Sequence, residues 1–207
     1  MRACTCTDAE FIARYEGYEL VPHLVRLLAG GRPLPLDELA EAAGAPVDRV
    51  RSLLGSLPGG EWDDQGRLVG FGLTLRPTAH HFVVGGQDLY TWCATDTLLF
   101  TVVLGRSTSV HSICAATGRP VDLELSPQGP LSVSPPEVIV SQVSPASDVE
   151  DFRRTACDQG HFFASAEHAK PWLDEHVDGL LLGVAEAFAA SRAACEALDW
   201  VPSEQDR

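Results

Sequence analysis

The stretch LPLDELAEAAGAPVDRVRSLLGSLPGGEWDDQGRLVGFGLTL, residues 34–75, decides the fold class of the N-terminal part. Its first half reads as two short helices broken at Gly44, Ala45 and Pro46, because Gly readily ends a helix and Pro cannot continue one. Its second half reads as a hairpin. Turn residues at Asp64–Gly66 are followed by Leu68, Gly70 and Gly72 alternating with Leu73 and Leu75 on the opposite side. A helix-turn-helix followed by a hairpin predicts a winged-helix shape. The would-be recognition helix, about Pro46 to Leu57, offers only Arg49 and Arg51 as cations. Neutralising DNA phosphates usually takes about six contacts or more, so a helical cap or dimerisation element is the preferred reading.

Working outward, TDAE at Thr7–Glu10 has the form of a capping box and predicts a helix from about Asp8. LVPHLVRLLAGG gives a second apolar stripe that stops at Gly30 and Gly31. Beyond residue 75, HHFVVGG, TSVHSICAATGRPVDLEL and PEVIVSQVSP are β-branched runs punctuated by Gly, Pro and Ser, with ATGRP as the turn between paired strands. An antiparallel or mixed sheet is expected. SAEHAKPWLDEH and GVAEAFAASRAACEALDW read as two closing helices, the first interrupted by Pro171. The fold class is therefore α+β. A helical, winged-helix-like domain over residues 1–75 precedes a sheet domain over residues 76–207.

Composition narrows the function classes. The chain has 207 residues, 45% hydrophobic and 21% charged, enough to bury a core without staples. A formal net charge of −14 sets it against nucleic acid and anionic membrane surfaces. MRACTCTDAE lacks the apolar core of a signal peptide and the apolar runs fall short of a bilayer span, so a cytoplasmic protein is expected. There the six cysteines, at positions 4, 6, 93, 114, 157 and 195, would remain thiols.

Two of those thiols stand beside polar partners. LYTWCATDTLLFTVVLG, residues 89–105, places Cys93 three positions from Asp96, which on a helix puts the two side chains on one face. RRTACDQGHFF brings Cys157, with His161 four residues on. Two thiols and an acid suit either a soft-metal site or a nucleophile with a proton donor. Taken singly, a Cys is more often a small buried hydrophobe, and Cys114 and Cys195 fit that pattern. Cys4 and Cys6 form a Cys-x-Cys pair of the kind that can bind a soft metal, in a segment read as a frayed terminus. No CxxC or HExxH occurs, and His80 and His81 read as the start of a strand.

GFGLTLRPTAHHFVVGGQDLYTWCATDTLLF, CAATGRPV and HFFAS, in that order, closely resemble the organomercurial lyases, also called alkylmercury lyases, from about Leu20 to about Phe188. The resemblance implies a winged-helix-like N-terminal part, a catalytic part on a mixed sheet, and two essential cysteines with an aspartate. Position by position these fall on Cys93, Asp96 and Cys157. The best-known members have Cys and then His after the second catalytic cysteine, where this chain has Asp158 and Gln159.

The implied reaction is protonolysis of a carbon–mercury bond, with the mercuric product left on Cys93, Asp96 and Cys157. Soft mercury prefers thiolates, and two of them push electron density onto the bound carbon. Asp96 would first take a thiol proton and then give it to that carbon. Leu89, Trp92, Leu98 and Phe100 would exclude water and receive the organic group. The resemblance implies no cofactor, an organomercurial substrate, and cytosolic thiols or mercuric reductase as acceptors of the ion. The competing reading is a thiol-based, soft-metal-sensing winged-helix regulator or a non-catalytic metal-binding relative; the acidic balance counts against the regulator.

Overall fold

The structure is a computed structural model and describes residues 7–143 and 151–203. Cys4 and Cys6 lie outside the described residues.

Four helices lead the chain: α1 (Ala9–Ile12), α2 (Val21–Leu28), α3 (Leu36–Ala42) and α4 (Val47–Ser56). The cap of α1 is Asp8, whose carboxylate accepts the Phe11 N–H at 3.1 Å, rather than the expected Thr7. A carboxylate at the N-cap satisfies the same orphan donors and adds favourable charge at the positive helix end. The break between α3 and α4 falls at the expected Gly44, which adopts a left-handed φ of 62°. The wing hairpin pairs β1 (Glu61–Trp62) with β2 (Leu68–Phe71), and Asp63 closes its turn by accepting the Gln65 and Arg67 N–H groups.

The alternation read through residues 68–75 does not continue as one strand. Gly72, at φ 70°, folds the chain back so that β2 pairs with β3 (Leu73–Thr74). A Cβ there would meet the Phe100 ring at 2.5 Å, so the turn needs Gly for both conformation and space.

The wing is continuous with the main sheet. β4 (His80–Val84), β5 (Gln87–Thr91), β6 (Thr108–Ile113), β7 (Pro120–Ser126) and β8 (Gly129–Ser134) complete an eight-stranded sheet of order β1-β2-β3-β5-β4-β6-β7-β8, with every neighbouring pair antiparallel. A second antiparallel sheet places β9 (Ile139–Gln142) between β10 (Phe162–Phe163) and β11 (Leu180–Gly183). The helices α6 (Phe152–Thr155), α7 (Ala166–Glu175) and α8 (Val184–Ala197) fill out the C-terminal half. Pro171 is accommodated inside α7, so both closing helices form as expected.

Between the layers runs α5 (Ala94–Leu104), all eleven residues of which are buried. An apolar surface all the way round suits a helix with no solvent face. Its threonines stay paired: Thr97 donates to the Ala94 carbonyl at 2.7 Å and Thr101 shares a hydrogen bond with Thr108 at 2.6 Å. Helices from the N-terminal part and strands from both sheets share one hydrophobic core with α5. Among the described residues no helix is long and apolar enough to cross a membrane.

Candidate active site

Cys93 stands at the N-cap of α5 in extended backbone (φ −139°, ψ 169°), and Asp96 is the third residue of that helix. The two close a capping box. The Asp96 carboxylate accepts the Cys93 N–H at 3.3 Å, and the Cys93 sulfur receives the Asp96 N–H. The spacing that suggested one helical face therefore has a sharper cause, since the pair stops the orphan donors of a buried helix start.

Cys157 reaches the same point from the far end of the chain. It opens a single 3₁₀ turn, Cys157–Gln159, directly after α6. Ser141 on β9 brackets this turn: its hydroxyl donates to the Gln159 carbonyl at 3.1 Å and accepts the His161 N–H at 2.9 Å. Gly160 completes the junction, its carbonyl accepting the Ala94 N–H at 3.1 Å. The ligating atoms of Cys93, Asp96 and Cys157 thus lie within 4.8 Å of one another, all buried. His161 is not part of this group. Cys114 and Cys195 are buried elsewhere in the core, as their apolar settings predicted.

Electrostatics make this an acid-holding site. The hydrogen bond with Cys157 pulls the Cys93 thiol down, but burial and the neighbouring Asp96 carboxylate outweigh it and leave the thiol above its ordinary value. Burial raises the Asp96 carboxyl from 3.8 to about 6, against the opposing hydrogen bonds from the Cys93 side chain and backbone. A proton on Asp96 is therefore held close to neutrality.

An apolar cavity of about 90 Å³ opens onto Asp96 and Cys157. Trp92 and Phe100 line it as expected, but Leu89 and Leu98 do not; both are fully buried in the core. Phe71, Leu99, Tyr15 and Phe152 complete the wall instead. Tyr15 and Phe152 meet edge to face at 4.9 Å and come from distant parts of the sequence, which is why local pattern could not find them.

Sequence reasoning also missed a charged network beside the cavity. Buried Glu61, on β1, accepts hydrogen bonds from Thr74, from Arg153 and, at 3.2 Å, from the Trp92 indole. Arg153 lies 5.6 Å over the Trp92 ring and 3.6 Å from Asp158. One cation thereby ties the wing, the Trp92–Cys93 junction and the Cys157 turn together. Nothing local in the sequence marks Glu61 for that role, because Thr74, Trp92 and Arg153 reach it only in the folded chain.

Gly160 yields a test of the thiol geometry. A Cβ there would sit 2.9 Å from the Cys93 Cβ and 3.4 Å from its sulfur. Gly160→Ala must therefore shift the Cys93 side chain or the Cys157 turn against which it packs. A misplacement of about 1 Å can cost about 100-fold in turnover, so a smaller loss, about tenfold, is the expected result in a variant whose melting curve still shows cooperative folding. Unchanged turnover would show that the spacing of the two sulfurs is not critical.

With this geometry established, comparison with known proteins is direct. A family model for alkylmercury lyase matches residues 73–196, and one for the helix-turn-helix domain of alkylmercury lyase matches residues 16–72. The chain belongs to the alkylmercury lyase family. An alkylmercury lyase of Bacillus cereus is 45% identical over 169 residues, spanning 82% of this chain and 77% of the relative. One from Streptomyces lividans is 46% identical over 175 residues, 84% of this chain and 81% of the relative. The fold is similar to the crystal structure of the mercury-bound form of MerB2, with a TM-score of 0.78 at 23% identity, covering 92% of this chain and 98% of that one.

Proposed function

We propose that the protein is a carbon–mercury lyase in which Cys93 and Cys157 bind the mercury of an organomercurial and Asp96 delivers the proton that releases the hydrocarbon. The observation that carries this reading is the buried trio itself, two thiols and a carboxyl with donor atoms within 4.8 Å, of which Asp96 and Cys157 open onto an apolar cavity.

The protons and bonds balance without any redox change. An organomercurial cation and two protein thiols give a hydrocarbon, a mercuric ion held by two thiolates, and one proton released to solvent. Soft thiolates displace the weaker ligands on mercury. The Cys93 thiol is held above its ordinary value, so binding mercury there must shed a proton. Asp96 is the adjacent acceptor. Once two thiolates donate to the metal, the carbon becomes basic and the Asp96 proton moves to it, breaking the carbon–mercury bond. The apolar wall of Phe71, Trp92, Leu99 and Phe100 holds the organic group and keeps water from competing as the acid.

The remaining parts of the reading follow from this chemistry. No cofactor is required, because ligand exchange and proton transfer store no electrons. The mercuric product passes to an acceptor with thiols of its own, small cytosolic thiols or mercuric reductase in the cytoplasm. Nucleic acid is not a partner, because α4 offers only Arg49 and Arg51, and each is ion-paired with a carboxylate, Glu16 and Asp48 respectively. The test is anaerobic incubation with phenylmercuric acetate and excess small thiol. Benzene in amounts exceeding the protein is the expected result, and mercury bound one-to-one without benzene would favour a sensor or sequestering protein.

A further inference from the structure

A second, smaller cavity adjoins the thiol pair, lined by Cys93, Thr95, Ser141, Gln142, Cys157 and Gly160 among others. It shares Ala156 and Cys157 with the apolar cavity and otherwise has different walls. At about 10 Å³ it has room for about one small occupant, which would lie among these residues.

Gln142 is the unexplained group there. It ends β9, is 1% exposed, and its side-chain N–H donates to the Thr95 hydroxyl at 2.9 Å. Its Oε1 is buried with no hydrogen-bond partner among the described residues. Buried acceptors are nearly always satisfied, so an unpartnered oxygen on a residue that lines the same cavity as two thiols marks a place where a ligand can bind. Thr95 is the second residue of α5, next to the helix start that carries Cys93. The tether therefore fixes the amide relative to the sulfur.

The reaction supplies such an occupant. While carbon remains bound, it shares the mercury with thiolate and the ion carries a single positive charge. When the hydrocarbon leaves, the ion loses a ligand and gains charge. A carbonyl oxygen is a poor donor to soft mercury when thiolate and carbon already satisfy it, but it is attracted to the more highly charged product, especially in a buried setting of low dielectric.

We propose that Gln142 is an oxygen donor to the mercuric product, held in place by Thr95, and that it favours retention of mercuric ion over capture of the organomercurial. This rests on the mercury reading above but not on turnover. It is tested by loading the full chain with mercuric ion and measuring the fraction retained against a competing small dithiol. Capture of phenylmercury is measured in parallel in the Asp96→Asn background, where cleavage is blocked.

Gln142→Met keeps length and bulk but removes the oxygen. Retention of mercuric ion is expected to fall about tenfold, the size of one hydrogen-bond-strength contact to an ion, with phenylmercury capture changed less than about twofold. Gln142→Glu supplies a charged oxygen and is expected to raise retention, the opposite sign. A merely structural role would move both variants, and both mercurials, in one direction. Should Gln142→Met fail to fold, Thr95→Val, which removes only the tether, takes its place with a smaller loss expected. Wild-type retention in the folded oxygen-free or untethered variant, or equal weakening of both mercurials, overturns the proposal. Absence of benzene release in the wild type would count against the lyase reading and leave this retention difference intact.

Discussion

Replacing either Cys93 or Cys157 with Ala is expected to lower hydrocarbon release by at least about a thousand-fold, because groups acting as one unit lose nearly everything when one member goes. One thiolate can still capture an organomercurial, but it cannot supply the second push of electron density that makes carbon basic. Cys195→Ala should leave turnover near wild type. Cys195 lies in the core on α8, its thiol pushed up to about 12 mainly by burial, so it is a packing residue. Headspace assay of hydrocarbon, beside mercury uptake on the same samples, checks the set. Substantial release by Cys157→Ala would rule out the two-thiol mechanism.

Asp96→Asn separates capture from cleavage and shows a cost of function. Asn keeps an oxygen for the Cys93 N–H but has no proton to give, so mercury uptake should survive while hydrocarbon release falls about 100- to 10,000-fold. The same change should stabilise the fold near neutrality. Asp96 has its pKa raised by burial from 3.8 to about 6, so the folded state binds its proton more tightly than the unfolded state does. The contribution of Asp96 to stability is then fullest below pH about 4, declines as pH rises toward about 6, and stays lower above that. The difference of roughly two units corresponds to about 3 kcal/mol that the wild type forgoes at neutral pH. The gap between thermal melts of wild type and Asp96→Asn should therefore open between pH about 4 and about 6 and stay constant above that. Melting curves equally spaced at every pH would show that Asp96 does not titrate in this range.

Much of this architecture was legible in local sequence because its signals are local. Gly44 with Pro46, the Asp64–Gly66 turn and the Gly30–Gly31 stop all act within a few residues, and each ends or turns an element where expected. Cys93 and Asp96 were readable together because a helix start fixes their geometry. Gly72 was misread, since alternation alone cannot distinguish a continuing strand from a tight reversal that a distant ring, Phe100, enforces. The cavity wall was half right for a related reason. Trp92 and Phe100 sit beside Cys93 and Asp96 in sequence and in space, whereas Tyr15 and Phe152 arrive there only through packing of segments far apart in the chain. Cys157 had no spacing to tie it to Cys93, and its place came from family resemblance. In the structure, Ser141 and Gly160 are what carry it there. Glu61 and Gln142 had no local signal of any kind, because partners 92 and 47 residues away give them their roles.

The central claim is that a solvent-derived proton, held on Asp96, ends on the carbon that leaves mercury. The most direct measurement is a reaction of the protein with methylmercury and a small thiol in deuterated buffer, with the evolved gas analysed by mass. The account predicts monodeuterated methane, with mercuric ion left on the protein or its thiol acceptor in equal amount. Methane without deuterium, or mercury bound with no methane evolved, would contradict it.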